Sequence, residues 1–504
     1  MQQRLPSETG GKGSVARPPS STAEGSRPVA AANQISTISV QPQERGHFLH
    51  IASTEWKSDK AFKLSSQLSQ SSNYVGMNNG SLPKHDVVAG KAFDRIIQIW
   101  LENTDYEAAI STPAMQALLP QGVLFDNYYA VTHPSEPNYQ AAVTGDFWGL
   151  GDDSFNHIPE NITTVFDLLD DGGKAGKPVS YACYQENMPY DGFTGFNYTD
   201  AKNYITPGGA PYVYYVRKHN PCAMMDYISG NPKRAIYNRN FNDLAADVGN
   251  NTMPQWNFIT PNMVNDGHDT TAAFFSNWTS YFLTPMLAEP KFNNNRTLVL
   301  LTFDENDSYS APNKIFTLAL GGAVPSNLKN TTDHTYMTHY SALSSVEANW
   351  NLKSLGRGDT NKTMSNVFPF WADTFGYQNT QVDDADIPMT NLTGVFPGPL
   401  SPTANTLFYA PDNVNVTGAG GQPVLVKSGL NVSQTLATLP RTNLTALNQK
   451  PYWETDPAFN NVNVSTGSSS STGTTAAKTN AGAKTVAGTG LMAVAVLAGV
   501  VALL

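Results

Sequence analysis

The sequence is poor in cysteine and in positive charge, and each scarcity excludes a class of protein. With only Cys183 and Cys222 in 504 residues, neither a cysteine-based zinc site nor a dense disulfide framework can form. Lys and Arg number 31 against 41 Asp and Glu, and this net charge of −10 gives no electrostatic support for nucleic-acid binding. The sequence also has no glycine-rich phosphate loop of the nucleotide-hydrolase type. Its chemistry must therefore come from oxygen and imidazole side chains.

Carboxylate and amide side chains directly follow two apolar runs of strand length. One run ends before Glu102 and Asn103, and the other ends before Asp304 and Glu305. Continuous apolar runs indicate strands that are buried on both faces, as in a parallel sheet. Because open α/β sheets bind ligands at the carboxyl ends of their strands, we predict that these four side chains share one crevice.

A serine lies in a proline-rich turn just before a helix-like run. Ser135 follows Pro134 and precedes Pro137, and the helical pattern ends at Gly145. A hydroxyl held before a helix can attack an electrophile, and the free N–H groups of that helix can stabilise an anion. The pattern therefore predicts a nucleophile at Ser135.

Two segments with histidine complete the candidate site. The first carries Asn262, Asp266, His268 and Asp269, and the second places His339 before a helical pattern. Carboxylates, imidazoles and an amide together suit a divalent ion such as Zn, Mg, Mn or Ca. The sequence therefore predicts a divalent metal cofactor, with its identity and number left open.

The order of these blocks resembles the phosphoesterase family, which belongs to the alkaline phosphatase superfamily. The likeness covers residues 93–377, and the chain looks similar to the secreted fungal phosphate-repressible acid phosphatases. It implies an enzyme that hydrolyses phosphate monoesters. The residues that carry it are Glu102-Asn103, HPSEPNY from His133, YVRKHNP from Tyr215, TPNMVNDGHD from Thr260, TFDEND from Thr302 and HYS from His339.

The resemblance also implies roles for single residues. Ser135 would form a phosphoserine and Asn138 would steady the phosphoryl oxygens, as in the similar nucleophile block of nucleotide pyrophosphatases/phosphodiesterases. From the residue types alone, the imidazoles available to protonate the leaving group are His133, His219 and His339. His219 is the candidate for this step or, alternatively, belongs to a basic loop with Arg217 and Lys218 that attracts the anionic substrate. The superfamily often has Asp-His where this chain has Asp304-Glu305. The implied metal ligands are Glu102, Asn103, Asp304, Glu305, His339 and, within one loop, Asp266 or His268.

Two other functions remain open at this stage. The same chemistry suits a phospholipase C-like phosphodiesterase, and a catalytically silent cell-wall glycoprotein is the non-enzymatic alternative. The expected partners are small phosphate esters, a membrane through a lipid anchor, and cell-wall polysaccharide.

Glycosylation motifs indicate the secretory route. In an oxidising compartment Cys183 and Cys222 can form one disulfide, and two separate buried thiols are the alternative. Asn306 also lies in a motif, but a glycan there would block the site, so we expect it to be bare. The density of acceptor asparagines is typical of a glycoprotein, and they are Asn161, Asn197, Asn250, Asn277, Asn295, Asn330, Asn361, Asn391, Asn415, Asn431, Asn443 and Asn463.

The C-terminal sequence predicts a lipid anchor. Small residues at 480–482, a short spacer and a wholly apolar tail at 491–504 match the signal for a GPI anchor, with attachment at Asn480. A tail-anchored helix is the alternative. We therefore expect a secreted protein, GPI-anchored at the plasma membrane or cell wall.

The predicted fold is α/β, with a mainly parallel central sheet and helices on both faces. Strands are predicted at 93–101, 179–184, 256–259, 298–303 and 314–320, and helices at 163–171, 241–248 and 341–350. The segment 188–211 is predicted to be a long loop. The predicted divisions are 1–90, disordered or preceding the true start; 91–385, catalytic; 386–464, a wrapping or small β-rich segment; 465–490, a Ser/Thr-rich stalk; and 491–504, the apolar tail.

Overall fold

The computed structural model describes residues 76–205, 211–384, 387 and 410–433, with backbone alone for 200–205 and 211. Its strands are β1 (Arg95–Leu101), β2 (Val123–Phe125), β3 (Tyr128–Tyr129), β4 (Tyr181–Gln185), β5 (Asn197–Ile205), β6 (Pro211–Val216), β7 (Asn238–Asn240), β8 (Trp256–Thr260), β9 (Thr297–Phe303), β10 (Thr317–Leu320), β11 (Thr331–Asp333) and β12 (Met337–Thr338).

The α-helices of the same residues are mostly short. They are α1 (Tyr106–Ile110), α2 (Pro113–Leu118), α3 (Ser135–Thr144), α4 (Val165–Asp171), α5 (Pro221–Met224), α6 (Asp226–Ser229), α7 (Pro232–Ala235), α8 (Phe241–Asn250), α9 (Ala272–Leu287), α10 (His339–Trp350) and α11 (Ala372–Phe375).

Eight strands form one sheet in the order β11-β2-β10-β9-β1-β8-β4-β7. Neighbouring strands are parallel except at β10, which is antiparallel to both β2 and β9. The long central strands β1 and β9 are almost wholly buried, which explains why they read as continuous apolar runs. The prediction of an α/β fold with a mainly parallel sheet is therefore confirmed.

Helices cover both faces of this sheet. Because side chains alternate along a strand and Leu101 pairs with Phe303, Trp100 and Phe303 point to opposite faces. Tyr139 of α3 packs on Trp100, with ring centroids 5.0 Å apart, whereas Phe275 of α9 packs edge-on against Phe303 at 5.3 Å. The arrangement places the first residues after β1 and β9 side by side at one edge of the sheet.

A disulfide ties a short helix to the sheet beside this edge. Cys183 of β4 is bonded to Cys222 of α5. Just before α5, the chain forms a 3-10 turn at Arg217–His219. The turn is therefore held close to the carboxyl end of the sheet.

The N-terminal boundary predicted at residue 90 is wrong, because residues 76–90 pack on the core. Met77 and Leu82 are buried. The backbone N–H of Leu82 donates to Asp247 at 2.6 Å, and that of Asn79 donates to Asp243 at 2.7 Å. Two carboxylates of α8 thus hold a segment whose polar composition had indicated disorder. Residues 1–75 lie outside the described part of the chain.

The segment predicted as a long loop at 188–211 contains regular structure. Its second half forms β5, which pairs antiparallel with β6 as a separate two-stranded sheet. The predicted strand 314–320 begins later, at Thr317, and is the antiparallel member of the main sheet. In the C-terminal region, Val424 bridges to Ser354, and Asn480, the stalk and the apolar tail lie outside the described residues.

The described glycosylation motifs lie at the surface, although the presence of glycans stays a prediction. Asn306 is buried, in keeping with the expectation that it stays bare. Asn391, Asn443 and Asn463 lie outside the described residues. None of the helices in the described ranges combines the length and the apolar character that crossing a membrane requires. The exposed asparagines are Asn161, Asn197, Asn250, Asn277, Asn295, Asn330, Asn361, Asn415 and Asn431.

Candidate active site

The hydroxyl of Ser135 lies among charged side chains at the carboxyl edge of the sheet. Helix α3 begins at this residue, and the side chain is buried. Its Oγ is 3.1 Å from Glu305 Oε1, 3.2 Å from Glu102 Oε2 and 3.4 Å from Asn103 Oδ1. A single hydroxyl proton can satisfy one of these three acceptors. The arrangement therefore brings more negative groups to the serine than its own hydrogen bonding needs.

Three of the predicted metal ligands are carboxylates that crowd one another. Glu102, Asp304 and Glu305 are all fully buried, and Asp304 Oδ2 has no hydrogen-bond partner. Burial raises the pKa of Asp304 well above its usual range, and the neighbouring charges of Glu102 and Glu305 raise it further. The backbone N–H of Asn103 donates to Asp304 Oδ1 at 3.3 Å. A buried cluster with one open oxygen suits a cation, because paired or metal-bound carboxylates avoid the cost of burying bare charge.

Glu102 connects the serine to a pair of aromatic side chains. Its Oε1 accepts from the hydroxyl of Tyr139 and lies 3.2 Å from His219 Nε2. The other ring nitrogen of His219 lies 3.5 Å from Asp266 Oδ2. Burial alone would raise the pKa of Glu102, but the charges of His219 and Lys218 outweigh it and lower this pKa to about 2. Glu102 is therefore an anion at every pH of interest.

His219 has both ring nitrogens directed at carboxylates. Burial opposes its protonation, but Glu102 and Asp266 raise its pKa above the ordinary histidine value. Burial raises the pKa of Asp266 itself to about 6. Because its ring lies between Glu102 and Asp266, His219 can hold the Glu102 carboxylate in position. The predicted proton donation from His219 to a leaving group stays a prediction.

His133 pairs with Glu305 on the other side of the serine. Its Nδ1 is hydrogen-bonded to Glu305 Oε2, and its Nε2 is buried without a hydrogen-bond partner. The imidazole thus holds the carboxylate whose second oxygen faces Ser135. Its predicted catalytic role stays a prediction.

Lys218 reaches the serine from the turn Arg217–His219. Its Nζ is 3.3 Å from Ser135 Oγ, 2.9 Å from Asp153 Oδ2 and 3.2 Å from His268 Nε2. Burial would lower the pKa of Lys218, but Asp153 and Glu102 outweigh it and raise this pKa above the usual lysine value. The partly buried ammonium group of Lys218 therefore faces the position at which a phosphoryl group would meet Ser135.

Arg217, although adjacent, has a structural task. It is buried, and its guanidinium donates to the carbonyl oxygens of Asn156 and Ala223 at 2.5 and 3.1 Å. In the alternative of a basic loop that attracts anions, Arg217 would therefore take no part, because it points into the protein.

Two groups of side chains could hold a metal ion. The atoms of Glu102, His219 and His268 that can bind a metal all lie within 4.8 Å of one another. Glu102 belongs equally to the oxygen-rich set around Ser135. Of the two candidates in one loop, Asp266 and His268, His268 belongs to this compact group. Asp266 instead lies 3.5 Å from Nδ1 of His219. The metal's identity and number remain open.

His339 contacts Asp304 at the backbone carbonyl and not at the carboxylate. Its Nε2 donates to the backbone carbonyl of Asp304 at 2.7 Å, and its ring stacks on Trp100 with centroids 4.4 Å apart. Burial lowers the pKa of His339 to about 4, so the ring is neutral. These contacts fix the end of β9, whereas Nδ1 of His339 is buried without a hydrogen-bond partner. The predicted ligand role stays a prediction.

Asn138 faces its own loop, and its predicted role at the phosphoryl oxygens is wrong. Its Oδ1 accepts from the backbone N–H groups of Val131 and Thr132 at 3.0 and 3.1 Å. Its Nδ2 donates to the carbonyls of Thr132 and Pro134 at 2.8 and 3.2 Å. All its hydrogen-bonding capacity shapes the turn before the nucleophile. The amide that lies near Ser135 is Asn103.

Sequence reasoning missed three residues of this site. Sequence patterns place Lys218 only in a basic loop, and they indicate no separate role for Asp153 or Tyr139. The helix N-terminus also offers less than expected, because the N–H of Glu136 donates to Asp153 at 3.0 Å and Pro137 has no N–H. The proximity of Lys218 to Ser135 depends on chain folding that carries no local signal.

Ser135 faces buried carboxylates and a lysine at the carboxyl edge of a mainly parallel sheet, an arrangement that suits a hydrolase with a serine nucleophile. The model of the phosphoesterase family matches residues 102–353. An acid phosphatase of Aspergillus fumigatus is 47% identical over 314 residues, which are 62% of this chain and 66% of that enzyme. A probable acid phosphatase of Kluyveromyces lactis is 44% identical over 338 residues, covering 67% of this chain and 75% of that protein.

The chain belongs to the phosphoesterase family, and the prediction of a phosphatase is confirmed. Among solved structures, an alkaline phosphatase superfamily protein of Vibrio parahaemolyticus is similar at 12% identity and a TM-score of 0.32, over 60% of this chain and 73% of that one. A likeness of that size adds nothing to the site.

Proposed function

We propose that the chain is an acid phosphatase that hydrolyses phosphate monoesters through a phosphoserine at Ser135. The observation that carries the proposal is the surroundings of one atom. Ser135 Oγ lies 3.1–3.4 Å from two carboxylates, an amide and an ammonium group. The fungal relatives named acid phosphatases support the choice of substrate class.

The reaction follows from those contacts. The hydroxyl proton of Ser135 passes to Glu305 as the oxygen attacks phosphorus and the bond to the leaving oxygen breaks. The leaving alkoxide takes a proton from solvent water and departs as the alcohol, and Glu305 returns its proton to solvent. Lys218 faces the same oxygen and neutralises charge on the phosphoryl group. Water then attacks the phosphoserine, which releases inorganic phosphate and restores the hydroxyl.

A divalent metal is part of this proposal. Glu102, Asn103, Asp304 and Glu305 would hold it, since their oxygens suit a hard cation and Asp304 Oδ2 is open. The group Glu102, His219 and His268 would suit a borderline ion such as zinc. When bound, the ion would supply a lower pKa for the serine hydroxyl and positive charge for the phosphoryl oxygens.

We expect the secreted full chain to favour monoesters over diesters. Lys218 and the proposed metal would concentrate positive charge on a phosphoryl group that can ionise twice, as that of a monoester can and that of a diester cannot. The measurement is kcat/KM at pH 5 for p-nitrophenyl phosphate and for bis(p-nitrophenyl) phosphate. A preference for the diester would move the assignment to a phosphodiesterase. A folded protein that is inactive on both would favour the non-enzymatic cell-wall glycoprotein.

Removing the metal is expected to cost both activity and stability. Dialysis against a chelator should abolish most hydrolysis and lower the melting temperature, because the buried carboxylates then repel one another. Returning an ion at about 100 times its Kd should restore about 2.7 kcal/mol of stability. Metal content, melting temperature and activity should recover together. If the metal-free protein, checked by mass spectrometry, keeps its activity and its melting temperature, the metal proposal is wrong.

The location stays a proposal as well. The nine exposed glycosylation motifs support a secretory glycoprotein, and a GPI anchor at Asn480 would place the enzyme at the plasma membrane or cell wall. Cell-wall polysaccharide would then be a neighbour of the enzyme. Release from intact cells by phosphatidylinositol-specific phospholipase C would support the anchor, and retention would favour a peptide anchor.

A further inference from the structure

Tyr309 lies beside His133 of the site, four residues after Glu305 in the sequence. Its ring centroid is 4.1 Å from that of His133, which is wholly buried against Glu305. Tyr309 itself is 47% exposed. One part of the ring therefore covers a histidine of the site while the rest meets solvent.

The loop that carries Tyr309 is fixed by hydrogen bonds. The backbone N–H of Ser308 donates to Asp105 Oδ1 at 2.9 Å, and the side-chain amide of Asn306 donates to the same oxygen at 3.2 Å. The backbone N–H of Asn306 donates to Asn313 at 2.9 Å, which closes the loop. An aromatic ring on a fixed loop can bind a ligand with little loss of conformational entropy.

The phenol of Tyr309 interacts electrostatically with two carboxylates near Ser135, those of Glu305 and Asp153. Burial raises its pKa, and the charges of Glu305 and Asp153 raise it further. These two carboxylates flank Ser135 through Glu305 Oε1 and through Lys218 respectively. The phenol is therefore neutral, and it offers a flat uncharged surface between charged groups.

The hydrogen-bonding neighbours of Ser135 Oγ are two carboxylates, an amide and an ammonium group. Tyr309 is the exposed large apolar side chain whose ring packs on a histidine of the site, and the others are Val87, Phe196, Phe274, Tyr281 and Val432.

We propose that Tyr309 contacts the leaving group and makes the enzyme favour monoesters of flat aromatic alcohols over monoesters of small aliphatic ones. The inference rests on the proposed function, because it places the phosphoryl group at Ser135. Offset or edge-to-face contact between two aromatic rings contributes about three- to tenfold in kcat/KM. Tyr309 is thus a specificity-determining residue.

The test compares kcat/KM for phenyl phosphate with kcat/KM for glycerol 2-phosphate in the full chain. The ratio of the two is expected to fall about three- to tenfold in Tyr309→Leu. It should be unchanged in Tyr309→Phe, which keeps the ring, and in Tyr281→Leu, a matched control at another exposed tyrosine. A shifted His133 would change kcat/KM for both substrates alike, so it would leave the ratio of the two unchanged.

A second measurement avoids the leucine variant altogether. Phenylphosphonate is expected to inhibit the wild-type enzyme and Tyr309→Phe more tightly than methylphosphonate does. An unchanged substrate ratio in folded Tyr309→Leu, or equal inhibition by the two phosphonates, would overturn the inference and leave the phosphatase assignment intact. Failure of the wild-type protein to hydrolyse either monoester would instead remove the proposed function, and this inference with it.

Discussion

Ser135→Ala is expected to lower kcat for p-nitrophenyl phosphate by about three decades or more, as removal of a covalent nucleophile does in other hydrolases. The expectation comes from the surroundings of the hydroxyl, which is buried and within 3.4 Å of two carboxylates, an amide and an ammonium group. Substrate binding should suffer less than turnover, because the charged groups around the serine remain.

The control for this variant is Ser111→Ala. Ser111 Oγ donates to the carbonyl of Ala108 at 2.9 Å on the surface, so its loss removes a serine hydroxyl without touching the site. Acid quenching of turnover with radiolabelled substrate should leave phosphate bound to the wild-type protein and none bound to Ser135→Ala. A folded Ser135→Ala protein with near-normal kcat would show that another group attacks phosphorus.

Lys218→Met should lower kcat by about 100- to 1000-fold, a loss comparable to removing one preorganised oxyanion donor. The side chain of Lys218 is 12% exposed, and its ammonium group lies 3.3 Å from Ser135 Oγ. Because Asp153 and Glu102 raise its pKa in spite of burial, Lys218 stays charged from pH 4 to 9. The loss should therefore be uniform across that range.

Lys353→Met is the matched control for Lys218→Met. Its ammonium group lies 2.8 Å from Asp171, close to the 2.9 Å of the pair Lys218–Asp153, but away from the serine. It should retain full activity. Asp153→Asn should show a smaller loss than Lys218→Met, because it loosens Lys218 without removing the charge. Activity of Lys218→Met within twofold of the wild type would show that Lys218 only stabilises the fold.

The parts of the site that follow strands were predictable from sequence. An apolar run followed by an acid is a local pattern, and a parallel sheet brings the ends of such runs together. Glu102 and Asp304 therefore lie at the same edge, as their positions in the sequence indicate. The serine turn is equally local, since helix α3 begins at Ser135 itself.

Residues whose role depends on the direction of a side chain were not predictable. Asn138 has the same sequence neighbours whether its amide faces a substrate or its own turn, and it faces the turn. His339 stands at the start of a helix in either case, yet its ring donates to the backbone carbonyl of Asp304. Lys218 meets Ser135 because a separate two-stranded sheet and a 3-10 turn deliver it from 83 residues away.

The separation in sequence of the groups around Ser135 bears on how the enzyme matures. The contacts of its hydroxyl span 33 residues to Glu102, 83 to Lys218 and 170 to Glu305. Contacts this distant form late in folding, because each must first overcome the entropy of closing a long loop. Strand β9 is synthesised long after α3 and must insert beside β1 before Glu305 can reach the serine. We therefore expect the nascent chain to gain phosphatase activity only after β9 has inserted beside β1 and brought Glu305 to the serine.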